Sequence, residues 1–188
     1  MKQVVIFASG SGTNAENIIK FFRDHDQVQV VQVLTNNPHA KVIERCKRLN
    51  ISCLCFNKKA FSKPNHIQQW LENLNPDLII LAGFLWKIPE NFVRAFPDRI
   101  INIHPALLPK YGGKGMYGHH VHKAVVENNE KESGITVHYV NEHYDEGAII
   151  FQASCSVSKN DSPEDVATKI HELEMEYFPT VIEDLLRG

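Results

Sequence analysis

The segment Ile100-Ile101-Asn102-Ile103-His104-Pro105 sets an amide and an imidazole two residues apart at the end of an apolar run. Such a run reads as a strand, and side chains on a strand alternate in direction. Asn102 and His104 are therefore expected on the same side. Pro105 has no N–H to give to a ladder, so the strand should stop there and both side chains should open into a cleft. Asparagine offers a donor that stays neutral; histidine offers one that gains or loses a proton near neutral pH. Together they suit the oxyanion formed when a carbonyl is attacked. A satisfied polar pair at a strand end would use the same residues, so this segment alone does not choose.

Two other segments add chemistry. Gly10-Ser11-Gly12-Thr13-Asn14-Ala15 lies between an apolar run and a helical pattern, where backbone N–H groups and the helix dipole can hold an anion. It matches the dinucleotide fingerprint formally. The acidic residue that would grip a ribose after the second strand is missing, because the chain there reads Leu34-Thr35-Asn36-Asn37. A phosphate monoester on a small substrate suits the loop better, and a plain tight turn is the other reading. Asn141-Glu142-His143-Tyr144-Asp145-Glu146-Gly147 is an acidic loop. A carboxylate from it could raise the pKa of His104 and fix its tautomer. Glu142, Asp145 and Glu146 are equally placed for that on sequence grounds.

Some chemistry is set aside. His119, His120 and His122 cluster, yet no nearby carboxylate or cysteine completes a ligand set, so no metal is expected. The four cysteines, Cys46, Cys53, Cys55 and Cys155, match no zinc or disulfide framework and read as reduced core thiols. A reducing cytoplasm follows. The formal net charge of -2 and the lack of a basic run predict no nucleic-acid or membrane partner. The first apolar run is too short for a signal peptide or a membrane span.

The elements that must position these groups are legible. Strands are expected at 4–8, 28–34, 52–56, 78–82 and 100–103, alternating with helices at 14–23, 41–49, 66–74 and 89–95. Continuous Val/Ile/Leu runs mean strands covered on both faces, and the alternation means βαβ units. After a Pro/Gly-rich stretch at 105–118 come a helix at 119–127 and strands at 134–140 and 148–157. The loop joining those strands is too short for a crossover, so an antiparallel extension is expected. Ser162-Pro163 opens a last helix. At 188 residues, 43% hydrophobic and 22% charged, the chain suits one domain spanning 1–188. The fold class is α/β and Rossmann-like: a mostly parallel sheet with helices on both faces and an antiparallel C-terminal extension.

Taken together, the segments resemble the folate-dependent formyltransferases. The matching blocks are Ser9–Asn14, Leu81-Ala82-Gly83-Phe84, Asn102–Tyr111, Gly134–His138 and Asp145-Glu146-Gly147, in the family's order. The Asn-Ile-His-Pro block is specific to the superfamily, and the Ser-Gly-x-Gly-Thr-Asn loop to its ribonucleotide branch. The resemblance implies transfer of the formyl group of 10-formyltetrahydrofolate, a co-substrate, to the amine of glycinamide ribonucleotide, with no metal, in a monomer or homodimer. It implies that Asn102, His104 and Asp145 are catalytic, so that Asp145 is the carboxylate that matters. Gly12, Thr13, Asn14, His171 and Glu174 would hold the ribonucleotide. Leu85, Trp86, Lys87, Ile88, Asn102, Asn141, Glu142, His143, Tyr144 and Asp145 would hold the folate. A formyl-folate hydrolase, a sugar-nucleotide formyltransferase and a non-catalytic binding regulator are the alternatives. Two departures stand out: a longer, glycine-rich loop at 110–118, expected to act as a lid, and Ser62-Lys63-Pro64-Asn65 where an Arg near the folate tail is usual.

Overall fold

A computed structural model describes residues 1–62 and 66–187. Lys63, Pro64 and Asn65, and with them most of the expected departure near the folate tail, lie outside the described residues.

Seven strands form one sheet: β1 (Lys2–Phe7), β2 (Val28–Thr35), β3 (Cys53–Cys55), β4 (Leu78–Leu81), β5 (Ile100–His104), β6 (Glu132–Tyr139) and β7 (Ile149–Ser156). Their order is β3-β2-β1-β4-β5-β6-β7. The pairings from β3 through β5 are parallel, and β6 and β7 continue the sheet antiparallel. Among the described residues seven helices surround it: α1 (Thr13–Phe21), α2 (Val42–Leu49), α3 (Lys58–Phe61), α4 (His66–Leu74), α5 (Glu90–Ala95), α6 (His119–Glu127) and α7 (Pro163–Arg187). Every expected element is present, shifted at its ends by a residue or two. The four-residue α3 has no counterpart in the sequence reading. A single turn is too short to show a period.

The strand runs are apolar without alternation because both faces of the sheet are covered. Val4 and Ile6 face one core with Ile18, Val42, Val121, Ile170 and Phe178. Val5 and Phe7 face the other with Phe61, Leu71, Phe92 and Phe96. Each of these fully buried side chains contributes about 1.5–3 kcal/mol relative to an exposed position. Thr136 on β6 ties the chain beyond β5 to the sheet. Its hydroxyl donates to the Ala106 carbonyl at 2.7 Å and accepts the Leu108 N–H at 3.0 Å.

The thiols differ from expectation. Cys46 is buried, Cys53 and Cys155 are half-buried, and Cys55 is exposed; all four are free. Cys55 ends β3, the edge strand.

The turn from β6 to β7 depends on Gly147. A Cβ there would run into the Tyr139 carbonyl oxygen, just where the Tyr139 N–H donates to the Ala148 carbonyl at 2.9 Å. We expect Gly147→Ala to lose about 1–3 kcal/mol of stability, the usual cost of overpacking. Urea denaturation would show this as a lower midpoint; an unchanged midpoint would contradict this account of the turn.

Candidate active site

The chain's progression along the sheet reverses between β1 and β4, and open α/β sheets bind ligands outside the carboxyl ends of strands at such a switch point. Here the glycine loop after β1, the segment after β4 and the end of β5 converge on one cavity of about 660 Å³. That volume lies within the range that takes small organic ligands.

Asn102 and His104 both line this cavity, as strand geometry requires. Antiparallel pairing sets His138 of β6 directly opposite Asn102. The Asn102 Nδ2 lies 3.1 Å from His138 Nε2. The other ring nitrogen of His138, Nδ1, is 2.8 Å from the Tyr139 carbonyl. A carbonyl only accepts, so the proton sits on Nδ1, and Nε2 accepts from the Asn102 amide. This tautomer assignment fixes the face that the amide turns to the cavity.

The acidic loop delivers one carboxylate to this centre. Asp145 Oδ2 is 3.6 Å from His104 Nδ1, and its Oδ1 is 3.6 Å from His138 Nε2. The Gly113 N–H donates to Oδ2 at 2.9 Å. Glu142 and Glu146 are exposed and do not line the cavity. Burial pushes the Asp145 carboxyl up, but His138 and His104 in their protonated forms and the Gly113 N–H more than offset it, so its pKa lies below the ordinary value.

His104 goes the other way. It is 3 % exposed, and burial outweighs the nearby Asp145, so its pKa falls below the ordinary imidazole value. A carboxylate beside it was expected to raise the pKa; desolvation reverses the sign. Its Nε2 lies 2.7 Å from the Tyr111 carbonyl. The neutral ring therefore carries its proton on Nε2 and turns the basic Nδ1 toward Asp145.

At the far end of the cavity, Gly12 has φ 73 and caps α1 without a side-chain hydrogen bond. The first-turn N–H groups of α1 are left for another partner. A Cβ on Gly12 would sit 2.5 Å from Val42 Cβ, so only glycine lets α2 approach this closely. Asn14 Nδ2 donates to Glu174 Oε2 at 2.9 Å, and His171 Nδ1 lies 3.6 Å from the same oxygen. Glu174 pushes the His171 pKa up. Gly12, Thr13, Asn14, His171 and Glu174 thus share one end of the cavity.

The family model described as formyl transferase matches residues 2–182. The chain belongs to the formyl transferase family. It is 36% identical to the phosphoribosylglycinamide formyltransferase of Bacillus subtilis, covering 99% of this chain and 95% of that protein. It is 38% identical to the chloroplastic phosphoribosylglycinamide formyltransferase of Arabidopsis thaliana, covering 99% of this chain and 67% of that one. The solved glycinamide ribonucleotide transformylase 1 of Symbiobacterium toebii superposes with a TM-score of 0.90 at 31% identity, covering 100% of this chain and 89% of that chain.

In this formyl transferase fold the cavity is also lined by Leu85, Trp86, Lys87 and Ile88 and by Asn141, His143, Tyr144 and Asp145, a mixture of apolar and polar side chains. Trp86 packs by edge-on and tilted ring contacts with Phe56, Phe61 and Phe84. Lys87 Nζ lies 5.4 Å from the centre of the Tyr144 ring, a cation–π approach. Of the residues expected to hold the two substrates, Glu142 alone stands outside the lining.

Sequence reasoning gave no role to several groups that the structure brings in. His138 was within reach, because Thr136 and His138 share a face by period two and β6 was expected to extend the sheet. The Tyr111 carbonyl and Gly113 N–H carry no side-chain signal at all. The brace behind the glycine loop had none either. Arg45 Nε donates to the Ser11 carbonyl at 2.7 Å, and Arg45 and Arg48 pair with buried Glu16. Among the described residues no group of three His, Cys, Asp or Glu side chains converges to hold a metal.

The brace gives a pH signature. Lys20 first, then Arg45, pulls the Glu16 pKa from 4.5 to about 2. A carboxyl whose folded pKa is lowered contributes stability above its unfolded pKa and loses it as pH falls through the folded one. We therefore expect an acid loss of stability between pH 4.5 and about 2 that is smaller in Glu16→Gln. Urea midpoints across that range measure it; identical acid limbs would contradict the brace.

Proposed function

We propose that this chain transfers the formyl group of 10-formyltetrahydrofolate to the amine of glycinamide ribonucleotide. The products are formylglycinamide ribonucleotide and tetrahydrofolate, a step of de novo purine synthesis. One observation carries the proposal: a single cavity is lined by the glycine loop at 10–14, by Asn102, His104 and Asp145, and by the segment 85–88 with its Leu, Trp and Ile. A phosphate monoester, a reacting amine and a flat heterocycle need those three surroundings.

The folate supplies the formyl carbon and a nitrogen leaving group. Gly12, Thr13 and Asn14 hold the phosphate with backbone and side-chain donors, and His171 and Glu174 hold the ribonucleotide beside them. Leu85, Trp86, Lys87 and Ile88, with Asn141, His143, Tyr144 and Asp145, hold the pterin. The Asn102 amide, turned by His138, is a donor to the oxygen that gains charge as the amine adds. Neutral His104 accepts the proton that the amine must lose, on or through its basic Nδ1. Asp145 stabilises the imidazolium so formed, and the same proton is then available to the leaving nitrogen. His104 thus becomes a charge-assisted donor only as the reaction proceeds.

We read residues 1–188 as one formyltransferase domain, working as a monomer or homodimer on small molecules, without nucleic acid or membrane. Among the described residues no helix is long and apolar enough to cross a membrane. The free thiols suit a reducing compartment, and we place the chain in the cytoplasm.

Formyl transfer to glycinamide ribonucleotide, followed spectroscopically, tests the assignment. We expect turnover with that pair, falling by ~10²–10³ in His104→Ala and in Asp145→Asn, the usual cost of losing such a group. Circular dichroism should be unchanged in both. Near-normal turnover in either variant, or turnover only with water or a sugar amine as acceptor, would overturn it.

A further inference from the structure

We infer that His122 is a ribose-binding residue, exchanging a hydrogen bond with a sugar hydroxyl of the acceptor beside Glu174. The inference rests on the ribonucleotide reading above and adds a residue to it.

His122 sits on the inner side of α6, which packs against α7, and its side chain lines the cavity. It is 6 % exposed, and neither ring nitrogen has a hydrogen-bond partner among the described residues, with Nδ1 sealed from solvent. Buried polar atoms are normally paired, and each one left unpaired costs free energy. Asn14 Oδ1, across the same end of the cavity, is also buried and unpaired. Two such atoms around one carboxylate describe a site awaiting hydroxyl groups.

His122 lines the same cavity as Asn14, His171 and Glu174 and as His104. Asn14 and His171 engage Glu174 Oε2, and Glu174 is the charge that acts most on His122. In the acceptor the sugar lies between phosphate and amine. Glu174 Oε1 takes neither of those two bonds. A carboxylate oxygen accepts only, whereas a neutral imidazole can donate or accept. A vicinal diol, each hydroxyl able to do both, matches that pair. An ammonium group would find its better partner at Asp145. Burial keeps His122 neutral, as the role requires.

His122→Phe and His122→Leu remove the hydrogen bond while keeping bulk, and His122→Gln keeps a donor and an acceptor. With glycinamide ribonucleotide, we expect Phe and Leu to raise the acceptor KM about tenfold or more, at the upper end for one hydrogen bond. The folate KM should stay unchanged and Tm should not fall, and Gln should recover part of the loss. The 2′- and 3′-deoxy acceptors complete the test. At least one should be a poorer substrate than the parent for wild type, and that penalty should shrink in Phe and Leu. A merely structural His122 would lower Tm and leave the deoxy penalty intact, and either result overturns the inference. So does an equal rise in both KM values. Lack of wild-type turnover would fail the function reading instead, while wild-type turnover with unaffected variants fails this inference alone.

Discussion

One buried carboxylate organises the centre of this protein. Asp145 comes from a loop that returns from β6, with φ 55 at Asp145 itself. Its two oxygens face two imidazoles and one backbone N–H. A carboxylate taken out of water costs several kcal/mol unless its lone pairs are met. Here the Gly113 N–H of the glycine-rich loop donates to it, and the imidazoles of β5 and β6 stand 3.6 Å away, where protonating either ring adds a donor. The carboxylate links these segments. If the Gly113 N–H moves, Asp145 loses its donor; if Asp145 moves, His104 and His138 lose the charge beside them.

The same arrangement decides the resting state of the site. Desolvation acts on the carboxylate and the imidazole in opposite senses, and it wins only at His104. Asp145 stays ionised while His104 stays neutral, so the cluster holds a negative charge and a ready base at once. On the mechanism proposed above, a His104 already charged would stabilise an oxyanion sooner but would have nothing to take the amine's proton. A neutral resting ring suits the second task first, which is the sharpest change from a reading based on residue types. The glycine-rich loop joins this state through backbone groups, since the Tyr111 carbonyl accepts the hydrogen bond from His104 Nε2–H and the Gly113 N–H donates to Asp145.

Much of this was legible in the sequence where a physical rule is local. Period-two geometry placed Asn102 and His104 on one side, and uninterrupted branched runs announced a sheet covered on both faces. The short 141–147 loop announced the antiparallel turn. Resemblance was needed to choose Asp145 over Glu142 and Glu146, because three carboxylates in one loop differ only in where the folded backbone points them. The brace of Arg45 and Arg48 on Glu16 was invisible, because its partners are about thirty residues apart and meet only when α2 packs on the Gly12 loop. The lowered pKa of His104 was misjudged for a related reason. Burial is a property of the whole fold, whereas the neighbouring carboxylate could be counted from the chain.

The central claim is that His104 rests neutral, protonated on Nε2, beside an ionised Asp145. Long-range ¹⁵N–¹H NMR of the imidazoles in ligand-free protein at pH 7 reads this directly. The account predicts a His104 spectrum of a neutral ring with the proton on Nε2. A doubly protonated His104 at that pH, or a neutral ring carrying its proton on Nδ1, would contradict it.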